Sequence, residues 1–181
     1  MLSIYKHIGD EMDFLEFAKE RYSCRMIDGK PVPQEDIDKI IEAARIAPTA
    51  INGQPFEIFV MQSDKSKEVI RDIISSTYGA NTFLVVGARV EDGPVRKSDS
   101  LNFPTVDATI AATHMMLEIE QLGLATTWIG AFDPIGLKEA YPEMKDLLLI
   151  GIFPIGYKAE NSHPSKKHSS YKSVEDLVTY L

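Results

Sequence analysis

Two long apolar runs most restrict the fold that this chain can adopt. Residues 82–88 and 147–157 are nearly continuously apolar over the length of a strand, as in strands buried on both faces. Residues 56–61 show the alternating pattern of a half-buried strand, which predicts a third strand. Residues 124–132 predict a fourth strand. Helical patterns at 34–45 and 64–77 separate these runs. We therefore expect an α/β or α+β protein.

Three further helices, one long loop and a C-terminal helix or extension complete the predicted elements. Residues 13–22 predict a helix that Asp13 caps, and a short helix follows Asp133 and Pro134. The third helix, from Thr105 to about residue 122, is apolar nearly all round and is expected in the core or at an interface. Residues 89–104 predict a long loop, and Ser173 opens a last helix or extension.

Length, charge and cysteine content exclude several classes of protein. The 181 residues are most simply one domain, with residues 1–11 as an N-terminal extension to a unit of 12–181. A net charge of −8, from 19 basic and 27 acidic residues, argues against nucleic acid as a partner. Neither a signal peptide nor a membrane-spanning run is evident, and the single cysteine, Cys24, fits the cytoplasm.

A segment that we call the junction, residues 47–55, lies between the second helix and the 56–61 strand. Pro48 and Pro55 bracket it and favour non-helical backbone, while Gly53 is expected to supply a positive φ. Asn52 and Gln54 place two amides at fixed offsets inside this bracket. The segment is either an ordinary loop or a rigid binding element.

Two clusters of cationic side chains stand out in an acidic chain. Arg21, Tyr22, Ser23 and Arg25 combine two guanidiniums with two hydroxyls, a set that suits phosphate or a surface ion-pair segment. Residues 161–172 hold three lysines and two histidines without an acid, which predicts either a solvated tail or an anion site. Common catalytic and metal-binding motifs are lacking, so we expect a flat, anionic cofactor that carries the chemistry itself.

Several motifs occur in a characteristic order along the chain. They are Arg21-Tyr22-Ser23-Cys24-Arg25, Ala47-Pro48-Thr49 with Asn52-Gly53-Gln54-Pro55, Asp107, Gly123-Leu124 with the 128–132 strand end, and Pro154-Ile155-Gly156-Tyr157. In this order they resemble the nitroreductase family of flavin-dependent oxidoreductases. The resemblance implies an α+β fold with a mostly antiparallel central sheet flanked by helices. It also implies a homodimer of the domain-swapped type with FMN at the interface.

The same resemblance implies roles for individual residues. Arg21, Ser23 and Arg25 would hold the FMN phosphate and ribityl chain, with Tyr22 nearby and with Lys166 and Lys167, or His168, completing the phosphate site. The isoalloxazine would be lined from one subunit by Pro48, Thr49, Ala50 and Asn52, while Gln54 acts through structure and Ile129 and Gly130 add strand-end contacts. No side chain is expected to be catalytic, because flavin N5 carries the hydride.

The function implied is hydride transfer from NADH or NADPH to a nitroaromatic, a quinone or a similar small-molecule acceptor. One alternative is an FMN-binding carrier or sensor without turnover, and another is a flavin enzyme of the same fold with a different reaction, such as a dehalogenase or dehydrogenase. A third is an unrelated α/β domain whose basic tract binds a protein. The basic tract is longer than the family's usual closing segment, so its three candidate residues are not ranked.

Overall fold

A computed structural model describes residues 13–181, in five helices and seven strands. The predicted extension of residues 1–11 lies outside the described residues. The helices are α1 Phe14–Glu20, α2 Gln34–Arg45, α3 Asp64–Ile73, α4 Phe103–Gln121 and α5 Pro134–Ala140. The strands are β1 Ile27–Asp28, β2 Phe56–Met61, β3 Thr82–Ala88, β4 Val95–Arg96, β5 Leu101–Asn102, β6 Leu124–Thr126 and β7 Leu148–Lys158.

A five-stranded sheet forms the centre of the fold. Its strands run in the order β1-β7-β3-β2, and β6 pairs with β7 as well. Every pairing in the described part of the chain is antiparallel. The prediction of an α+β fold with a mostly antiparallel sheet is confirmed.

The central helix α4 packs against α2 and against the sheet. All seven residues of β3 are buried, which agrees with a strand covered on both faces. On one face, Leu84 and Val86 meet the buried side of α4, where Met115 and Ile119 are fully buried. Each of these two side chains contributes about 1.5–3 kcal/mol by leaving water. The apolar character of α4 thus reflects its place in the core.

The ends of α4 follow from local sequence. The Asn102 side chain accepts a hydrogen bond from the Thr105 N–H at 3.0 Å, and Pro104 lies in the first turn. This cap starts the helix two residues before the predicted Thr105. Gly123, with φ of +71°, follows its last turn as expected.

The described chain divides into two compact units. One unit comprises Ser23–His163 and contains the sheet and its core. The other comprises α1, the residues that follow it up to Tyr22, and Pro164–Leu181. In that second unit the expected last helix is a single turn, in which the Val178 N–H donates to the Val174 carbonyl. That residues 12–181 form one FMN-binding domain stays a prediction.

Candidate functional site

The junction is a tight turn closed by its own hydrogen bonds. The Asn52 N–H donates to the Thr49 carbonyl and the Gly53 N–H to the Ala50 carbonyl, both at 3.0 Å. The Thr49 hydroxyl accepts from the Gln54 N–H at 3.1 Å. The junction is therefore fixed by backbone and hydroxyl groups between α2 and β2.

Three non-glycine residues of the junction have left-handed backbone. Ile51, Asn52 and Gln54 have φ of 51°, 55° and 50°. Asparagine tolerates this region, but a β-branched isoleucine there is a genuine outlier. Strain of this kind costs on the order of 1–3 kcal/mol per residue and is concentrated at functional sites.

The prediction that Gly53 supplies the positive φ is wrong. Its φ is −75°, because the two i to i+3 hydrogen bonds of the turn place the left-handed residues on either side of it. What the position requires is space, since a Cβ there would lie 3.3 Å from the Ala50 carbonyl oxygen.

A buried carboxylate on α4 ties the junction to the core. Asp107 Oδ1 accepts a hydrogen bond from the Ala50 N–H at 2.9 Å, although the two residues are 57 positions apart in the chain. The Asp107 residue is only 2% exposed. The sequence motif includes Asp107, but sequence reasoning assigned it no role; its one signal is an acid within an otherwise apolar helical face.

The polar side chains predicted to bind a ligand lie on the outside of this turn. Asn52 and Gln54 are exposed, and the Gln54 amide nitrogen donates to the Asn52 side-chain oxygen at 3.3 Å. Pro48 is exposed, whereas Thr49 and Ala50 are half-buried. The structure thus brings the five predicted junction residues together on one accessible turn.

The predicted loop at 89–104 contains the short β4–β5 hairpin and packs beside the junction. The Arg89 N–H donates to the Pro55 carbonyl at 2.9 Å, and a Cβ on Gly93 would be 2.7 Å from Pro104 Cγ. Within the hairpin, the Arg96 guanidinium donates two hydrogen bonds to the Asp99 carboxylate, which lowers the pKa of Asp99.

A second group of predicted residues lies at the opposite edge of the sheet. The Cys24 N–H donates to the Thr126 carbonyl of β6 at 2.9 Å, so the exposed Ser23 and Arg25 flank a strand-like contact with β6. Farther along, Ile129 exchanges two backbone hydrogen bonds with Ile152 of β7, at 2.9 and 3.0 Å. The structure therefore places Ser23, Arg25 and Ile129 along the same edge.

Gly130 lies exposed just beyond that bridge. A Cβ added at Gly130 would have no atom within 4 Å, so the backbone there is open to a ligand.

Sheet topology separates this edge from the junction within one chain. Ile152 pairs with Val85 of β3 on one side and bridges to Ile129 on the other, and β2 lies beyond β3. Three strand spacings thus lie between the Ile129 position and β2, or about 14 Å. The two groups of predicted ring contacts do not meet along one sheet edge.

The basic tract contacts the end of α1 within the smaller unit. His168 Nε2 donates to the Lys19 carbonyl at 2.8 Å, and its ring lies edge-on to Tyr22 with 6.0 Å between the ring centres. Lys166 and Lys167 are exposed. The structure therefore places His168 beside the Tyr22 segment that also carries Arg21, and leaves both lysine side chains accessible.

Two absences among the described residues bear on the type of site. Residues 13–181 contain no group of three His, Cys, Asp or Glu side chains that could hold a metal ion. Among the helices in that range, none combines the length and apolar character needed to cross a bilayer.

Comparison with known proteins identifies the family. The sequence pattern of the nitroreductase family matches residues 18–78 and 74–157 of this chain. The chain belongs to the nitroreductase family. A solved nitroreductase family protein from Clostridium difficile 630 is 30% identical, with a TM-score of 0.85, over 93% of this chain and 98% of that chain.

Two curated relatives of this nitroreductase family member have more specific names. The FMN reductase (NAD(P)H) of Bacillus subtilis is 29% identical over 187 residues, which cover 93% of this chain and 75% of that protein. Iodotyrosine deiodinase 1 of Rattus norvegicus is 35% identical over 77 residues, which cover 42% of this chain and 27% of that protein.

Proposed function

We propose that this protein is an FMN-dependent oxidoreductase that takes hydride from NADH or NADPH and passes it to a nitroaromatic, a quinone or a similar small-molecule acceptor. The observation that carries the proposal is the rigid, strained and exposed junction that Asp107 anchors in a nitroreductase family chain. Similarity to the B. subtilis FMN reductase over 93% of the chain supports both FMN and NAD(P)H.

The exposed groups of the larger unit fit the chemistry of FMN. A phosphate requires cations and hydrogen-bond donors, which Arg25 and Ser23 offer at the surface. A flat polar ring requires fixed donors and acceptors beside apolar cover, which the Asn52 amide and the exposed Ile51 side chain offer. The open backbone at Gly130 allows a ring to approach without a Cβ in the way.

Each group of residues then has a binding or orienting role. Arg25 and Ser23 bind the phosphate and ribityl end, while Pro48, Thr49, Ala50 and Asn52 orient the ring. Gln54 acts through its N–H bond to the Thr49 hydroxyl, which closes the turn. When bound, FMN would supply a hydride acceptor and donor at N5, so these side chains bind and orient the cofactor and do not carry the hydride themselves.

The cationic cluster of the smaller unit is assigned on residue chemistry alone. Arg21, Lys166 and Lys167 carry the charges that favour a phosphate, and His168 and Tyr22 contact one another in that unit. We propose phosphate binding for these five residues, with His168 as the member that orders the cluster.

A homodimer is part of the proposal, and two observations support it. Within one chain, three strand spacings separate the Ile129 bridge beside Gly130 from β2, which follows the junction. Two copies of the chain could line one flavin ring, with the junction of one copy and Gly130 of the other. The C-terminal segment also exposes large apolar side chains that a second copy would cover: Tyr171, Val174, Leu177, Tyr180 and Leu181.

The buried free thiol of Cys24 supports a cytoplasmic location.

Binding of FMN and of riboflavin, which lacks the phosphate, tests the cofactor assignment. Flavin fluorescence titrations should give tighter binding of FMN to the wild type. Arg25→Gln should weaken FMN binding about tenfold or more and leave riboflavin binding unchanged, because only the charge-assisted phosphate bond is lost. Arg71→Gln, an exposed arginine of α3, serves as the matched control. Equal affinities of the wild type for FMN and riboflavin would contradict the phosphate assignment.

One second candidate function has support from a specific observation. The partial similarity to iodotyrosine deiodinase 1 favours a flavin enzyme of the same fold with a different reaction. Bleaching of bound FMN by NAD(P)H, followed by turnover of a halogenated phenol but not of nitroaromatics or quinones, would favour that candidate. Binding of FMN without any bleaching would favour a carrier or sensor instead.

A further inference from the structure

Asp107 is an unusual residue for a buried position on a helix. It is 2% exposed on α4, and its neighbours Ala108 and Ala111 are fully buried. Asp107 Oδ1 accepts from the Ala50 N–H, whereas Oδ2 has no hydrogen-bond partner in the described part of the chain. A buried carboxylate oxygen without a partner destabilises a fold. Packing alone would favour an apolar residue at this position.

The hydrogen bond that Asp107 Oδ1 accepts reaches the point where the junction becomes strained. Ala50 directly precedes Ile51, the first of the left-handed residues. The Ala50 carbonyl also accepts from Gly53, so fixing Ala50 fixes both ends of the turn. A hydrogen bond from a backbone N–H to a carboxylate is stronger than one to a neutral acceptor. Asp107 therefore stabilises a conformation that the junction residues alone disfavour.

We propose that Asp107 is a positioning residue, which holds the Ala50 N–H and thereby keeps the strained junction in its FMN-binding conformation. The ligand in this statement rests on the proposed function, but the conformational part does not. Asp107 acts through the junction backbone, since its side chain points from α4 to Ala50 and is buried.

Two substitutions separate this role from a general effect on stability. Asp107→Ala removes the acceptor, and Asp107→Asn keeps an oxygen that can accept from Ala50. Thr126→Val is the matched control, because the Thr126 hydroxyl is the other buried side-chain oxygen without a partner among the described residues. The measurements are amide hydrogen exchange at Ala50 and Gly53 by NMR in the flavin-free protein, FMN affinity by fluorescence, and thermal stability.

We expect Asp107→Ala to accelerate exchange at the junction and to weaken FMN binding about 10- to 100-fold, the loss expected for a charge-assisted hydrogen bond. Asp107→Asn should recover much of both effects, and Thr126→Val should change neither. A lower melting temperature in Asp107→Ala with unchanged junction exchange and FMN affinity would overturn the proposal. Equal acceleration in the Ala and Asn variants would overturn it too.

The exchange measurement also separates this proposal from the proposed function. If the wild type does not bind FMN, the cofactor assignment fails, yet faster exchange in Asp107→Ala than in Asp107→Asn still supports the positioning of the junction. If Asp107→Ala does not fold, comparison of Asp107→Asn with the wild type decides the matter. Exchange at Ala50 should then rise slightly, and no change at all would overturn the role of the carboxylate.

Discussion

The left-handed backbone of Ile51 leads to a prediction that runs against the usual effect of removing a large apolar side chain. Ile51 has φ of 51° and ψ of 18°, and its residue is 85% exposed. Isoleucine is poorly suited to this backbone, whereas asparagine is one of the residues that adopt it readily. We expect Ile51→Asn to stabilise the flavin-free protein.

Two opposing contributions set the size of the effect. The left-handed conformation costs an ordinary L-residue roughly 1–2 kcal/mol, most of which asparagine recovers. Full burial of an isoleucine side chain gives about 1.5–3 kcal/mol, so the small buried fraction of Ile51 accounts for about 0.2–0.5 kcal/mol. The net gain in the free energy of unfolding is then about 1 kcal/mol, or roughly 2–4 °C in melting temperature for a chain of this size.

The assay is urea unfolding of the flavin-free protein, followed by circular dichroism. Ile46→Asn provides the matched control, because Ile46 is also exposed, at 65%, but has φ of −87°. That control should change the free energy of unfolding by less than about 0.5 kcal/mol. A loss of stability in Ile51→Asn, or a change equal to that of Ile46→Asn, would refute the argument that Ile51 is strained.

Three other predictions concern the elements that hold the two sides of the site. Gly151→Ala should lower the free energy of unfolding by about 1–3 kcal/mol, because a Cβ there would overlap the Trp128 indole, and near-UV circular dichroism should show the displaced ring. Asn102→Ala should cost about 0.5–2 kcal/mol in urea unfolding, since it removes the cap of α4. The Arg96 guanidinium lowers the pKa of Asp99. The stabilisation that this ion pair gives the folded state is therefore present above the ordinary pKa of 3.8 and is lost as pH falls through the lowered pKa. The curves of stability against pH for the wild type and Asp99→Asn should converge at acid pH.

Each of these predictions has an outcome that contradicts it. Gly130→Ala is the control for the glycine prediction, since its Cβ would meet no atom within 4 Å, and equal losses at both glycines would remove the steric explanation. A change below about 0.3 kcal/mol in Asn102→Ala would show that the cap contributes little. A constant difference between wild type and Asp99→Asn from neutral to acid pH would show that the ion pair does not stabilise the fold.

The regular elements could be predicted because the spacing of apolar residues along the chain reflects which positions are buried. The bounds predicted for α2, β2 and β3 agree with the structure. The β4–β5 hairpin was not predicted, because strands of two residues are too short to show a period. The predicted helix at 64–77 ends at Ile73, because Ile74 already has extended backbone.

The candidate site was predictable in its residue types but not in its geometry. Asn52 and Gln54 stand out in the sequence. Their positive φ angles, however, depend on hydrogen bonds that cannot be predicted from the residue types. The partner of Asp107 is a backbone N–H 57 positions away, which leaves no mark in the sequence of the junction. The contact between Cys24 and β6 is also a backbone bond. Long-range backbone partners are what the structure adds.

The visible absorbance spectrum of the purified protein, recorded with added FMN and then under anaerobic titration with NADH and NADPH, tests the central claim most directly. An FMN-dependent oxidoreductase should show flavin bands that shift on binding and bleach when the nicotinamide is added. Failure of the wild type to bind FMN, or flavin bands that neither nicotinamide bleaches, would contradict the proposed function.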